Sequence, residues 1–425
     1  MVEAKRRRRR VQAISLALLY CGVSRQRFIP ILALAACTRA PQRPAPHAEF
    51  LVANADSTFW VTADARGVRM RGAPLILARV DSRFHELFVA DDDRSYYDAV
   101  FVGQHLFRRD LISGDSTELL SDGEVAEMTD RFAREHPDER PLAPDEDGAE
   151  QPRTSAVAEL RVIDVHGPFA SYEHITDIDV TGGSFRHAAH RGVIDLRSGD
   201  ELTVGDLFGA AEEARVVARA ETAWVSVRDS LRSQAGPPGP RREAAAIALD
   251  HFAFNAASFT VGAQDRAPQV KFAVPGSGGR AGGLTLPLPP ESVSAPAWWH
   301  AVSEELPVGP ASMLRWPRER FELVARNDSS GGDRATLALR DGTREWPVGV
   351  VRGPVRRVFW LDSPDISREG RKALLRAFDA ASLYSMETRI VQAPPSREPP
   401  VVVREATRRA QARLAQRRVR HRPAA

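Results

Sequence analysis

The chain has 425 residues, 43% of them hydrophobic, and a formal charge of +3. It is long enough to bury a sizeable core and to divide into two or three domains, which excludes a disordered chain and a small stapled scaffold. Both cysteines, Cys21 and Cys37, fall within the first forty residues. The rest of the chain therefore has no thiol for a disulfide, a thiolate metal site or a cysteine nucleophile. The small net charge is a balance between Arg-rich ends and an acidic middle.

From Lys5 to Arg10 the chain is an unbroken basic run, followed by apolar stretches at Val11–Val23 and Phe28–Ala36 with Arg25 and Arg27 between them. Each stretch is shorter than the roughly 20 residues that span a bilayer. The second ends in Leu34-Ala35-Ala36-Cys37, with small residues just before the cysteine as a signal peptidase requires. This string resembles the lipobox of bacterial lipoproteins, and the resemblance implies that Cys37 is lipid-modified and becomes the new amino terminus. Residues 1–36 then form a signal peptide, and a translation start near Val23 would leave a leader of ordinary length. The competing readings are a signal-anchor helix from Val11 to Ala36 and a chance cysteine beside apolar residues in a cytosolic protein. Cys21 follows the bulky Tyr20 and fits the motif poorly. Residues 37–49, rich in Pro, Arg and Ala, suit a tether. Thr38 stands where Asp would mark inner-membrane retention. By resemblance to Gram-negative lipoproteins it implies a place on the periplasmic side of the outer membrane.

The sequence predicts an α+β protein of small antiparallel sheets with packed helices and disordered ends. In residues 50–136, short β-type runs at Phe59–Thr62, Pro74–Ala78, Glu86–Val89 and Ala99–Val102 suggest a β-rich domain. Asp110–Asp115 reads as a hairpin with Gly114 supplying a positive φ, and Glu124–Arg134 carries a helical pattern. Residues 137–157 are acidic and Pro-rich, a linker and the first expected boundary. A second domain, 158–305, opens with the alternating strand Ala158–Val165 and continues through Ile175–Val180 and Gly192–Leu196. A second hairpin follows at Asp195–Asp200, then helices at Ala210–Ser233 and Arg242–Phe254. Strands resume at Ala257–Val261, Gln269–Val274 and Leu284–Leu288. A last segment, 306–392, has strands at Phe321–Arg326, Ala335–Leu339, Trp346–Val351 and Val355–Leu361, then an amphipathic helix from Ser367 to Tyr384. From 393 to 425 the chain is an Arg-rich tail with too few large apolar residues to join a core.

Four histidines, His166, His174, His187 and His190, lie close together in sequence, with Asp177 and Asp179 nearby. Neutral imidazole binds metals, and His187 and His190 would share a face if the local structure were helical. The spacing matches no established metal motif, so no metal and no cofactor is expected. His174, His187 and His190 remain candidates for ligand contact. Trp298 and Trp299, with Trp316, Trp346 and Trp360, would line a sugar or peptide groove or, the commoner fate of tryptophan, pack in a core. Asp91-Asp92-Asp93 lacks calcium-loop spacing and reads as a charged turn. Gly276-Ser277-Gly278-Gly279 is no nucleophile elbow, and the glycines at 278–283 lack the helix and Lys of a phosphate-binding loop.

Several strings within Ser171–Phe208 carry a family resemblance. They are Ile178-Asp179-Val180 leading into Thr181-Gly182-Gly183, then Val193-Ile194-Asp195-Leu196, Ser198-Gly199-Asp200-Glu201-Leu202 and Asp206-Leu207-Phe208. Together they resemble the extracytoplasmic domain shared by the anti-sigma factor RsiV and the peptidoglycan deacetylase PdaC. Phe259-Thr260-Val261 and Leu284–Pro290 match its later half more loosely, so the resemblance covers roughly residues 158–300. It implies a secreted or membrane-anchored protein with a mixed fold, and a protein or peptidoglycan partner. One departure is that Ser184-Phe185-Arg186 separate the paired glycines from His187. The expected function is an exported, membrane-anchored envelope binding or structural module with no catalytic residue assigned. The alternative is a cell-wall hydrolase with a His-containing site. An exported address leaves no expectation of a nucleic-acid partner.

Overall fold

The computed structural model describes residues 47–391 with gaps, the longest lying within 235–253 and at 275–283, 328–333 and 383–388. The expected signal peptide, Cys37, most of the tether, nearly all of the helix expected at 242–254 and the basic tail lie outside the described residues. The fold is α+β, as the sequence predicts, with four sheets among the described residues.

The first sheet contains β1 (Ala48–Ala53), β2 (Thr58–Asp64) and β3 (Gly67–Ala73), and it is completed by two strands from the far end of the chain. Every residue of β1 is buried, which the run Ala-Glu-Phe-Leu-Val-Ala permits because apolar residues stand on both faces of the strand. Phe50 and Val52 face one way and Leu51 and Ala53 the other. Each fully buried Phe or Leu contributes about 1.5–3 kcal/mol relative to an exposed one. Glu49 is tolerated in this strand because its carboxylate accepts a hydrogen bond from Trp60 Nε1 at 2.8 Å.

The second sheet has seven strands: β4 (Ile76–Val80), β5 (Arg83–Ser95), β6 (Ala99–Asp110), β7 (Ser116–Ser121), β8 (Thr154–His166), β9 (Phe169–Val180) and β10 (Arg186–Asp195). β6 divides its partners: Ala99–Val102 pair in parallel with β8, and His105–Arg109 pair antiparallel with β7. Its hairpin turns at Asp110–Asp115 and Asp195–Asp200 are copies of one device. In each the leading Asp carboxylate accepts backbone N–H bonds from within the turn, and the Gly sits at φ +82° or +84°. Helix α1 (Gly123–Glu135) follows β7, with Asp122 as its N-cap. Its Val125, Met128 and Phe132 pack on Phe101, Ala156 and Ile178 of the sheet.

Helices α2 (Val204–Phe208) and α3 (Ala210–Gln234) lead toward the three-stranded sheet of β11 (Phe259–Gln264), β12 (Ala267–Val274) and β13 (Leu284–Pro287). Val216, Ala220 and Trp224, four residues apart, form the buried stripe of α3 against Phe259, Val270 and Phe272. Helix α4 (Ala297–Val302) and a 3-10 turn at Ser303–Glu305 connect to a meander of β14 (Met313–Arg318), β15 (Phe321–Asn327), β16 (Arg334–Asp341) and β17 (Arg344–Arg352). This meander packs on the Phe50–Val52 face of β1 through Trp316, Leu323, Leu337 and Leu339. β18 (Arg357–Trp360) then pairs with β1, α5 (Arg368–Ser382) covers the Leu51–Ala53 face through Leu374 and Phe378, and β19 (Arg389–Val391) pairs with β3.

Sheet pairing crosses the expected divisions. β1 at the start of the fold binds β18 near its end, and β6 binds β8 on the far side of the expected linker. The 137–157 stretch is itself hydrogen-bonded to the sheet: Leu142 N–H donates to Ser95 O and Arg153 N–H to Asp98 O, both at 2.7 Å, and β8 already begins at Thr154. Asp91-Asp92-Asp93 is not a turn but the exposed end of strand β5. A sheet satisfies its edges with whichever strand completes them, and separation along the chain does not prevent this.

Candidate functional site

The polar residues singled out by sequence gather around the β9–β10 hairpin, but not as one cluster. In a strand, residues three apart point to opposite faces, so His187 and His190 do not share one. His190 stands directly across from His174, and His187 across from Asp177.

On the α1 face, His174 Nε2 lies 2.8 Å from Asp122 Oδ2, and Thr176 Oγ1 lies 3.4 Å from the same nitrogen. Asp122 is buried, and two of its contacts come from the backbone N–H groups of Glu124 and Val125, both at 3.0 Å. Burial alone would raise its pKa, but the hydrogen bonds from His174 and from Val125 N–H outweigh it and hold the carboxyl below its ordinary value. Beside this pair, His190 Nε2 lies 2.5 Å from Glu201 Oε1 and its ring meets Tyr172 edge-on. The His190 bond holds Glu201 below the usual carboxylate range against desolvation. Burial, with the Glu201 charge added, raises the Tyr172 phenol. Gly192 makes this arrangement fit, since a Cβ there would come within 2.7 Å of the Tyr172 ring and closer still to Glu201 Oε1.

On the opposite face His187 Nδ1 lies 2.6 Å from Asp177 Oδ1. Further along that face Arg191 joins Glu173 and Thr285, and Ser171 bonds Val261, so the three-stranded sheet covers this end of the hairpin. His166 is separate from the other three: it is buried, tilted against Trp299 at 5.0 Å, and 3.5 Å from Asp164 Oδ2. Among the described residues no group of three or more His, Cys, Asp or Glu side chains is placed to hold a metal ion.

Trp298 and Trp299 belong to the packing. Trp299 is fully buried with its Nε1 donating to Arg266 O at 2.7 Å, while half-buried Trp298 donates to Leu207 O at 3.0 Å and meets Phe169 edge-on. Sequence reasoning missed Asp122, Tyr172 and Glu201 as partners of the histidines. Asp122 was the findable one, since it stands just ahead of a helical pattern where an N-cap is due.

Two chemical properties follow from this geometry. His174 uses one ring nitrogen for both its carboxylate and its hydroxyl neighbour, whereas a proton relay to a nucleophile needs one nitrogen for each. The hairpin also has an open side, because β10 is the last strand of its sheet. Arg191 N–H donates outward to Ser258 Oγ, and Val193 O accepts outward from Leu202 N–H. Antiparallel alternation turns the N–H and C=O groups of Ala189 and His187 the same way, and no strand lies beside them among the described residues. Phe185, 60% exposed, stands at the start of this edge.

No helix among the described residues is long and apolar enough to cross a membrane. Neither protein-family models nor the curated proteins contain a match to this chain.

Proposed function

We propose that the protein is an exported, lipid-anchored binding or structural module of the cell envelope, held at the membrane through Cys37 and engaging its partner along the β10 edge. The observation that carries the binding reading is that edge: Arg186 to His190 offers outward backbone donors and acceptors next to exposed Phe185. An extended peptide segment binds such an edge by adding a strand. The paired imidazoles of His174, His187 and His190 serve this role by fixing the two faces of the hairpin, each imidazole being already held by its own carboxylate. The resemblance of residues 158–300 to the RsiV and PdaC domain, and the Leu34-Ala35-Ala36-Cys37 string, support the envelope address. Charge distribution supports a dedicated anchor. Residues 47–391 hold 40 basic and 53 acidic side chains, so an anionic membrane surface repels the body of the protein.

A photo-cross-linking residue at position 185 tests the edge in cells. Adducts formed by the otherwise wild-type protein should disappear when Ala189→Pro removes an outward N–H, while the circular dichroism spectrum is unchanged. Adducts that persist in the folded proline variant exclude strand addition at β10. Release of soluble fragments from purified peptidoglycan by the protein alone would instead establish the hydrolase alternative.

A further inference from the structure

The four sheets meet at a buried ionic junction that no feature of the hairpin site uses. Glu305, on the 3-10 turn before β14, is 6% exposed, and its Oε1 lies 3.3 Å from Arg79 Nη1 of β4. Arg357 of β18 is 2% exposed and donates from Nη2 to Leu77 O at 3.1 Å. It lies in the fields of both Glu305 and Asp164. Asp164 of β8 is 3.3 Å from Arg356 Nη1 and 3.5 Å from His166 Nε2, and Lys271 of β12 feels the Asp164 charge. Trp316 of β14 closes the turn, its Nε1 donating to Glu305 O at 2.9 Å. The groups that face Glu305 are thus Arg79 from β4, Arg357 from β18 and Glu304 from its own turn, with Asp164, His166, Arg356 and Lys271 in the next rank.

We propose that Glu305 is a proton-linked joint between the sheets: it is enclosed as the neutral acid, so the packing of the β14–β17 meander on the rest of the fold tightens in mild acid and loosens as the surroundings turn alkaline. Two carboxylates share the junction and titrate apart. Burial would raise Asp164, but His166 and the two guanidiniums hold it well below its ordinary value, so it stays charged. Glu305 has one long contact to Arg79, and burial pushes it up to about 7 against the pull of Arg79 and Arg357.

A carboxyl whose folded pKa lies above its unfolded value, here 4.5, contributes stability that is complete below 4.5 and is lost as pH rises through about 7. The loss corresponds to a fall in the folding constant on the order of 10²-fold. His85 acts in the opposite sense. Burial lowers its pKa, so its cost is felt as pH falls below 6.5. The comparison with a variant therefore isolates Glu305.

Equilibrium urea denaturation of the full chain across this range should show wild-type stability falling relative to Glu305→Gln as pH rises from about 5 to about 8. Arg79→Gln, which removes the nearest positive charge, should move the midpoint of that fall upward. Near neutrality, where ordinary carboxyls are ionised, the wild-type protein should show an infrared carbonyl band of a protonated carboxyl that Glu305→Gln lacks, and that difference should fade toward the alkaline end. Should Glu305→Gln not fold, Arg79→Gln identifies the band, since a band that belongs to Glu305 shifts its midpoint upward in that variant, whereas Glu86 is paired with Arg109. Parallel pH profiles of wild type and Glu305→Gln, or a wild-type spectrum without that band near neutrality, overturn the proposal.

Discussion

Replacing Asp122 with Ala tests the link between helix α1 and the β9–β10 hairpin, because one carboxylate serves both. It caps α1 through two backbone N–H bonds at 3.0 Å and holds His174 at 2.8 Å. Loss of an N-cap costs about 1 kcal/mol, and leaving the half-buried imidazole without its acceptor adds about 1–3 kcal/mol. The expected total is about 2–4 kcal/mol by urea denaturation at neutral pH. In a His174→Ala background the imidazole contact is already gone and the cap is the main loss, beside the contact to the Thr176 hydroxyl, so the same substitution should cost about 1 kcal/mol. Because the Asp122 pKa is lowered in the fold, its stabilisation is present above 3.8 and is lost as pH falls through the folded value. Wild type and Asp122→Ala should therefore converge only in strong acid. A cost below about 0.5 kcal/mol at neutral pH, or one that is identical with and without His174, refutes the reasoning.

Gly192→Ala should destabilise the protein by about 1–3 kcal/mol, since Glu201 can swing away from a new Cβ but the buried Tyr172 ring cannot; an unchanged denaturation midpoint would show that the hairpin gives way freely. Residues 392–425 hold nine arginines and two glutamates. Deleting residues 397–425 should leave the thermal midpoint unchanged and weaken binding of the unlipidated protein to anionic vesicles in a salt-dependent way, and a lowered midpoint would mean that the tail is docked.

The elements that sequence revealed are those whose signal is local. α1 and α5 announce themselves by helical spacing, and the two Asp-to-Asp turns by a glycine that must take a positive φ. What it hid depends on pairing between distant segments. β1 has no alternation to betray it, because both of its faces are covered, one by the β14–β17 meander and the other by α5. The division expected at 137–157 rested on composition, which is blind to β6 and β8 lying side by side. The histidines were visible as residue types but not as pairs. Their grouping follows from the register that sets His190 against His174, and from Glu201, which folds back after the hairpin turn. The junction at Glu305 was invisible for the same reason, its charges arriving from β4, β8, the β18 segment and the turn before β14, which lie far apart along the chain.

Lipidation of Cys37 is the step on which the proposed envelope anchoring stands, and mass spectrometry of the protein isolated from membrane fractions tests it in one step. The mature chain should begin at Cys37, carry acyl lipid there, and leave the membrane fraction when Cys37→Ser is introduced. A chain that retains residues 1–36 with an unmodified Cys37, or a Cys37→Ser variant that sediments with the membrane as before, would contradict it.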